Sequence, residues 1–177
     1  MRFSHPPDIP FNQQVIFPCE LTLKTTPKGL RVFRKPVREI STLHAGQAVV
    51  LTHRELRAGQ HLPLMLSGRQ FHIQAEVEIP TGAKLTSNIR GVPVTLTSAT
   101  LSSDRRSATV QDRVKSVETL IDTTSIETFV TDGELSFTKF VLPNEYGLSV
   151  KADGGPVMIR SLTVHSIRSA WLEVQRK

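Results

Sequence analysis

Asp122, Glu127 and Asp132 crowd one short stretch, Ile121-Asp122-Thr123-Thr124-Ser125-Ile126-Glu127-Thr128-Phe129 and the residues just after it. Ionised carboxylates accept hydrogen bonds, and vicinal diols offer two donors side by side, so these three acids are candidate ligands for sugar hydroxyls. Trp171, the sole tryptophan, completes the candidate carbohydrate-binding set, because a flat apolar ring can stack on a sugar face. Each residue also has a plainer reading. A carboxylate between Ile126 and Phe129 faces solvent or sits in a satisfied polar network between sheets. A tryptophan at the end of a strand anchors a core or an edge. The pattern favours the plainer readings.

Other chemistries lack their residues. The six histidines are His5, His44, His53, His61, His72 and His165, and no two lie close enough in sequence to share a strand or helix face as zinc ligands do. No acidic calcium loop, no phosphate-cradling glycine loop and no Gly-x-Ser-x-Gly elbow occurs. The expectation is therefore no cofactor, no metal and no catalytic residue. Cys19 is the only cysteine, so no internal disulfide can form and the redox compartment is left open.

A net charge of +6 raises the question of nucleic acid. Its densest cationic stretch, Arg31, Arg34, Lys35 and Arg38, holds one aromatic ring, Phe33, and not the interleaved series that would stack on successive bases, so a solvated basic face is expected and a nucleic-acid partner is not. No apolar run approaches the roughly 20 residues that span a bilayer, so no membrane partner is expected either. Met1–Pro10 holds no apolar stretch of the kind a signal peptide needs, which leaves the localisation undetermined.

The elements that must carry these residues are strands. From Gln70 to Pro80, Phe71, Ile73, Ala75, Val77 and Ile79 alternate with polar partners, a period of two that predicts one buried and one wet face. Val15, Phe17, Cys19, Leu21 and Leu23 share the same period, Thr25-Thr26-Pro27-Lys28-Gly29 supplies a turn, and Leu30, Val32 and Phe33 return, so residues 15–38 read as a long hairpin. Further strands are expected over Ala48–Thr52, Val92–Leu101, Ser107–Gln111, Val117–Ile121, Ile126–Thr131, Leu135–Val141, Tyr146–Lys151 and Val157–Trp171. The apolar phase slips by one between Ile159 and Leu162, as a β-bulge requires. Val37–His44 is the one segment with helical spacing. At 177 residues this is an all-β domain, a sandwich or a barrel.

Four segments then carry a resemblance. Phe17-Pro18-Cys19-Glu20-Leu21-Thr22-Leu23, with Thr26-Pro27-x-Gly29-Leu30-Arg31 and Pro36-Val37-x-Glu39-Ile40, resembles the interdomain junction of glycoside hydrolase family 32, the family of invertases, inulinases and levanases. Asn88-Ile89-Arg90-Gly91-Val92-Pro93-Val94, the acidic stretch from Ile121 to Gly133, and Ser161-Leu162-Thr163-Val164-His165-Ser166-Ile167 through Ala170-Trp171 are similar to later segments, in the family's order, from about residue 11 to 171.

The resemblance implies a β-sandwich of two antiparallel sheets, about six strands each, that follows a five-bladed β-propeller carrying the active site. It implies that residues 1–14 are a remnant of the connection from a propeller blade and 15–177 the sandwich. The family's nucleophile, stabilising aspartate and general acid lie in propeller motifs that do not occur here, so none carries over. Pro18-Cys19-Glu20 reverses the letters of the acid's motif and belongs to the junction. The expected function is a non-catalytic accessory module that stabilises or assembles a glycosidase; the alternative is a stand-alone module binding levan or inulin. Expected partners are a propeller catalytic domain, a fructan oligosaccharide, or a second copy through a face left bare. The resemblance breaks down over Val110–Ser116, and Thr119 and Thr128 stand where apolar strand residues are expected, which puts the local register in question.

Overall fold

The structure, a computed structural model, describes residues 15–66, 68–142, 145 and 147–170. Cys19–Thr26 (β1) and Gly29–Pro36 (β2) form the expected hairpin. Thr26 Oγ closes its tip by donating to the Gly29 carbonyl at 2.7 Å. The segment with helical spacing is a 3-10 helix, Arg38–Leu43, which runs straight into the long strand His44–Leu56 (β3).

His61–Pro63 (β4), Phe71–Glu78 (β5), Lys84–Ile89 (β6), Val92–Leu96 (β7), Thr100–Ser103 (β8) and Arg106–Thr109 (β9) follow. Ser116–Ile121 (β10), Ser125–Val130 (β11), Leu135–Phe140 (β12), Leu148–Asp153 (β13) and Val157–Ile167 (β14) complete the chain. One six-stranded sheet has the order β12-β11-β10-β5-β14-β3 and the other β4-β13-β6-β7-β8-β9. The pairings are antiparallel. This is the expected β-sandwich.

Alternation along the strands builds the core between the sheets. Phe71, Ile73 and Val77 of β5 and Val157, Ile159 and Leu162 of β14 meet Leu85 and Ile89 of β6 and Val94 and Leu96 of β7 in one buried cluster. Each large side chain buried there contributes about 1.5–3 kcal/mol. The phase slip of the last strand is real: the β14–β5 register shifts between Ile159 and Ser161, which returns Leu162 and Val164 to the core.

Val92–Leu101 is not one strand. Thr97 breaks it, because its hydroxyl accepts from the Thr100 amide at 3.0 Å and pairs with the Thr100 hydroxyl at 2.7 Å. A side chain that satisfies the backbone locally competes with the ladder, so the chain doubles back as β7 and β8. Thr119 and Thr128 are direct cross-strand partners, and their hydroxyls bond each other at 3.2 Å inside the core. Two hydroxyls that satisfy one another stand in for the expected apolar pair.

The alternation rule fails in one informative place. Every residue of β11 is buried, so its outward face is covered as well. The cover is a second apolar cluster, in which Ile40 of the 3-10 helix packs with Leu120, Phe129 and Ile167, and Phe17, Cys19, Val37 and Leu43 lean against them.

Candidate functional site

The hairpin is the feature the sandwich does not absorb. β1 and β2 form a two-stranded sheet of their own, and among the described residues β1 pairs with β2 alone. Such a pair is marginal in water by itself, and here its base is welded to the body. The Arg34 amide donates to the Gly133 carbonyl at 2.9 Å and the Val37 amide to the Pro18 carbonyl at 3.1 Å. Lys35 Nζ reaches Asp132 Oδ1 at 2.5 Å.

The strongest tie passes through Glu127. Its side chain is fully buried; Oε1 accepts from the Phe17 amide and Oε2 from Arg34 Nη2, both at 2.8 Å. The Arg34 guanidinium also lies 5.2 Å from the centre of the Phe129 ring. Burial pushes the Glu127 carboxyl above its ordinary range, and the Phe17 amide and Arg34 pull it back only in part. Glu127 is thus a structural anchor with both oxygens engaged by the chain itself.

Beyond the anchor, the hairpin turns apolar side chains outward. Leu23 stands opposite Val32, and Leu30 opposite Thr25, in the register of the pair. Direct partners share a face, so Leu21, Leu23, Leu30 and Val32 form one ladder, exposed by 67, 63, 61 and 58% respectively. Lys24 covers Phe33 on the reverse face, with Nζ 4.3 Å from the ring centre. A contiguous bare apolar strip is a contact surface for another molecule or domain.

The three acids proposed from sequence do not converge on one site. Asp122 accepts from Gln70 Nε2 at 2.8 Å on the sheet's outer face and lies near enough to Glu127 to help raise its carboxyl. Asp132 follows β11, whereas Asp122 precedes it, and a six-residue strand separates them by roughly 20 Å. The bond from Lys35, with the Lys35 and Lys24 charges, holds the Asp132 carboxyl below its ordinary value. Trp171 lies outside the described residues. Asp132 borders an open groove of about 360 Å³ on the outer sheet face, with Lys35, Gln74, Glu118, Ser161 and Thr163 among its walls.

A cluster that sequence spacing cannot reveal lies on the same outer face. His44 Nε2 is 2.9 Å from His72 Nδ1, and His72 Nε2 is 2.7 Å from Glu118 Oε1. The His165 ring stacks on His44, centre to centre 3.9 Å. The three histidines come from β3, β5 and β14, adjacent in the sheet though as many as 121 residues apart by number (165 less 44). The one available signal was the shared outward phase of His72 with Gln70 and Gln74. Among the described residues no set of three His, Cys, Asp or Glu side chains converges as a metal site.

Comparison with known proteins agrees with this architecture. The model of the glycosyl hydrolases family 32 C terminal matches residues 34–166. A levanase of Bacillus sp. (strain L7) is 26% identical over 194 residues, covering 93% of this chain and 21% of the levanase. A levanase of Bacillus subtilis (strain 168) is 25% identical over 196 residues, covering 93% and 29%. The chain therefore spans less than a third of the length of these relatives. The exo-inulinase of Aspergillus awamori shares the fold with a TM-score of 0.73 at 15% identity, over 93% of this chain and 38% of that one. Fructan 1-exohydrolase IIa of Cichorium intybus does so at 0.68 and 16%, over 85% and 40%. Two six-stranded antiparallel sheets and a family match over most of the chain lead to one conclusion: this chain belongs to the glycosyl hydrolase family 32 C-terminal domains.

Proposed function

We propose that this chain is the non-catalytic β-sandwich module of a fructan-cleaving glycosidase, and that it docks on a catalytic β-propeller through the apolar face of its hairpin. The observation that carries this reading is the bare ladder Leu21, Leu23, Leu30 and Val32 on a hairpin whose base is fixed to the sandwich. Two features of the relatives support it. The family model starts only at residue 34, whereas the similarity to the levanases covers 93% of the chain and so runs into the hairpin. The levanases also extend far beyond the matched part, with room for a separate domain that does the cleaving.

Glycoside hydrolysis needs two carboxyl groups flanking the bond, about 5–9.5 Å apart, with oxygens free to attack or to pass a proton. Glu127 has both oxygens engaged by Phe17 and Arg34, so the best-placed acid of the sheet is not free for that work. The expected result with this chain alone is no fructose released from levan, inulin or sucrose. Release that survives rigorous purification and tracks with the protein peak overturns the non-catalytic reading.

The groove beside Asp132 favours a second reading, a fructan-binding module, because polar groups from several strands line an open hollow. Calorimetric titration with levan and inulin separates the two. Millimolar or tighter binding lost in Asp132→Ala supports the second; no heat above dilution leaves the docking role.

A further inference from the structure

We propose that His44, His72, His165 and Glu118 form a pH-sensitive latch that holds the corner between the 3-10 helix and β3 on the sandwich near neutral pH and releases it in mild acid. Among the described residues β3 is an edge strand that pairs with β14 alone. Its first residue, His44, is also the C-cap of the 3-10 helix, so the imidazole sits where the chain leaves the hairpin and enters the sheet. The corner's other ties are the packing of Ile40 and Leu43 in the second apolar cluster, the His44–Ile167 and Ala45–Ser166 backbone pairings, the Arg168 amide to the Leu43 carbonyl at 2.9 Å, and Arg168 Nη2 to the Thr42 carbonyl at 3.0 Å.

The proton order of the cluster follows from its contacts. An ionised carboxylate only accepts, so His72 Nε2 carries the hydrogen that faces Glu118. In neutral His72 the other nitrogen, Nδ1, then accepts, and His44 Nε2 donates to it. Each short contact holds one hydrogen and the neutral cluster is complete. One added proton fits: placed on His72 Nδ1 it is balanced by Glu118, and His44 changes tautomer to accept. A second proton does not fit. It falls on His44 or on His165, stacked against each other, beside a cationic His72 that is itself buried.

The charged and polar groups facing the cluster do not relieve this. β5 contributes Gln74, which donates to Glu118 at 3.2 Å, and β10 contributes Glu118 itself. Asp122, farther along, is engaged by Gln70. On the approach to β3, Arg168 adds positive charge and Glu39 of the 3-10 helix pairs with Arg38 at 3.4 Å. Burial, His165 and His72 in that order hold His44 below its ordinary value.

In the unfolded chain each histidine takes up its proton near pH 6.5. The released corner therefore binds more protons than the latched one, and stability there is full above that pH and lost as pH falls through it. Amide hydrogen exchange, corrected for intrinsic rates, tests this between pH 7.5 and 5. Protection over residues 41–50 is expected to drop at least about tenfold across that range in the wild type, one proton's worth of linkage, while the inner strands β5 and β10 hold theirs. His44→Phe keeps a ring for His165 to stack on but cannot titrate, and its protection should change less than threefold. Imidazole NMR titration of the wild type gives an independent reading, with His44 protonating below the ordinary imidazole range. Equal pH dependence in wild type and His44→Phe overturns the latch, as does wild-type protection that stays constant. If His44→Phe fails to fold, ordinary titration of His44 in the wild type overturns it equally.

Discussion

Arg34 and Glu127 stand 93 residues apart in the chain and 2.8 Å apart in space, and that contact joins two units the hydrogen-bond ladders leave separate. Arg34 belongs to the hairpin and Glu127 to β11, the second strand in its six-stranded sheet, between β12 and β10. The carboxylate takes the Phe17 amide as well, so one buried acid clamps both the entry to the hairpin and its exit.

Removing the arginine should hurt most near neutral pH. Glu127 holds its proton more tightly folded than unfolded, because burial raises its carboxyl. Such a group favours the folded state in acid, and that advantage is lost as pH rises through the folded value. Arg34→Ala removes one of the two opposing pulls and raises the carboxyl further. We expect Arg34→Ala to lose about 2–3 kcal/mol at pH 7, below the 3–5 of a fully buried pair because Arg34 is partly exposed, and clearly less at pH 5. Urea unfolding at the two pH values checks it.

Gly133 is a glycine for a steric reason. Its φ is +84°, and a Cβ there would fall on the Arg34 carbonyl oxygen, the backbone of β2. Gly133→Ala should therefore push β2 off the sandwich while leaving the two sheets paired. Proteolysis is the readout: cutting within residues 15–36 should become fast, with a sandwich core left intact.

The buried hydroxyl pair predicts that one change costs more than two. Thr119→Val leaves the Thr128 hydroxyl alone in the core, which costs about 1–3 kcal/mol. Thr119→Val with Thr128→Val removes both groups and should come back to within about 1 kcal/mol of the wild type, since nothing is left unpaired. Equilibrium unfolding of these two variants and of Thr128→Val alone closes the cycle.

Much of this was legible from residue order. Alternation over Gln70–Pro80 and the phase slip at Ile159–Leu162 report one buried face per strand, and sheet structure follows from that alone. What escaped has a common cause: alternation assumes that a strand's second face is wet. His72 sits on such a face and is buried, and the whole of β11 is buried, because the 3-10 helix and the hairpin base cover that side of the sheet. The same cover decides the role of Glu127. The run Ser-Ile-Glu-Thr-Phe-Val shows a carboxylate in a strand; the partner that claims it comes from a segment 93 residues earlier. Thr97 shows the reverse limit, a local side-chain bond that overrides an apolar run and splits it into two strands.

The docking face is tested most directly by joining this chain to a catalytic domain. In the Bacillus subtilis levanase, residues 15–177 of this chain would replace the part they match, and the half-life of levan hydrolysis on heating would be measured. The hybrid should outlast the same levanase cut before the junction, and Leu23→Arg with Val32→Arg should abolish the gain while the sandwich itself unfolds at an unchanged midpoint. A hybrid whose half-life is indifferent to those two arginines contradicts it.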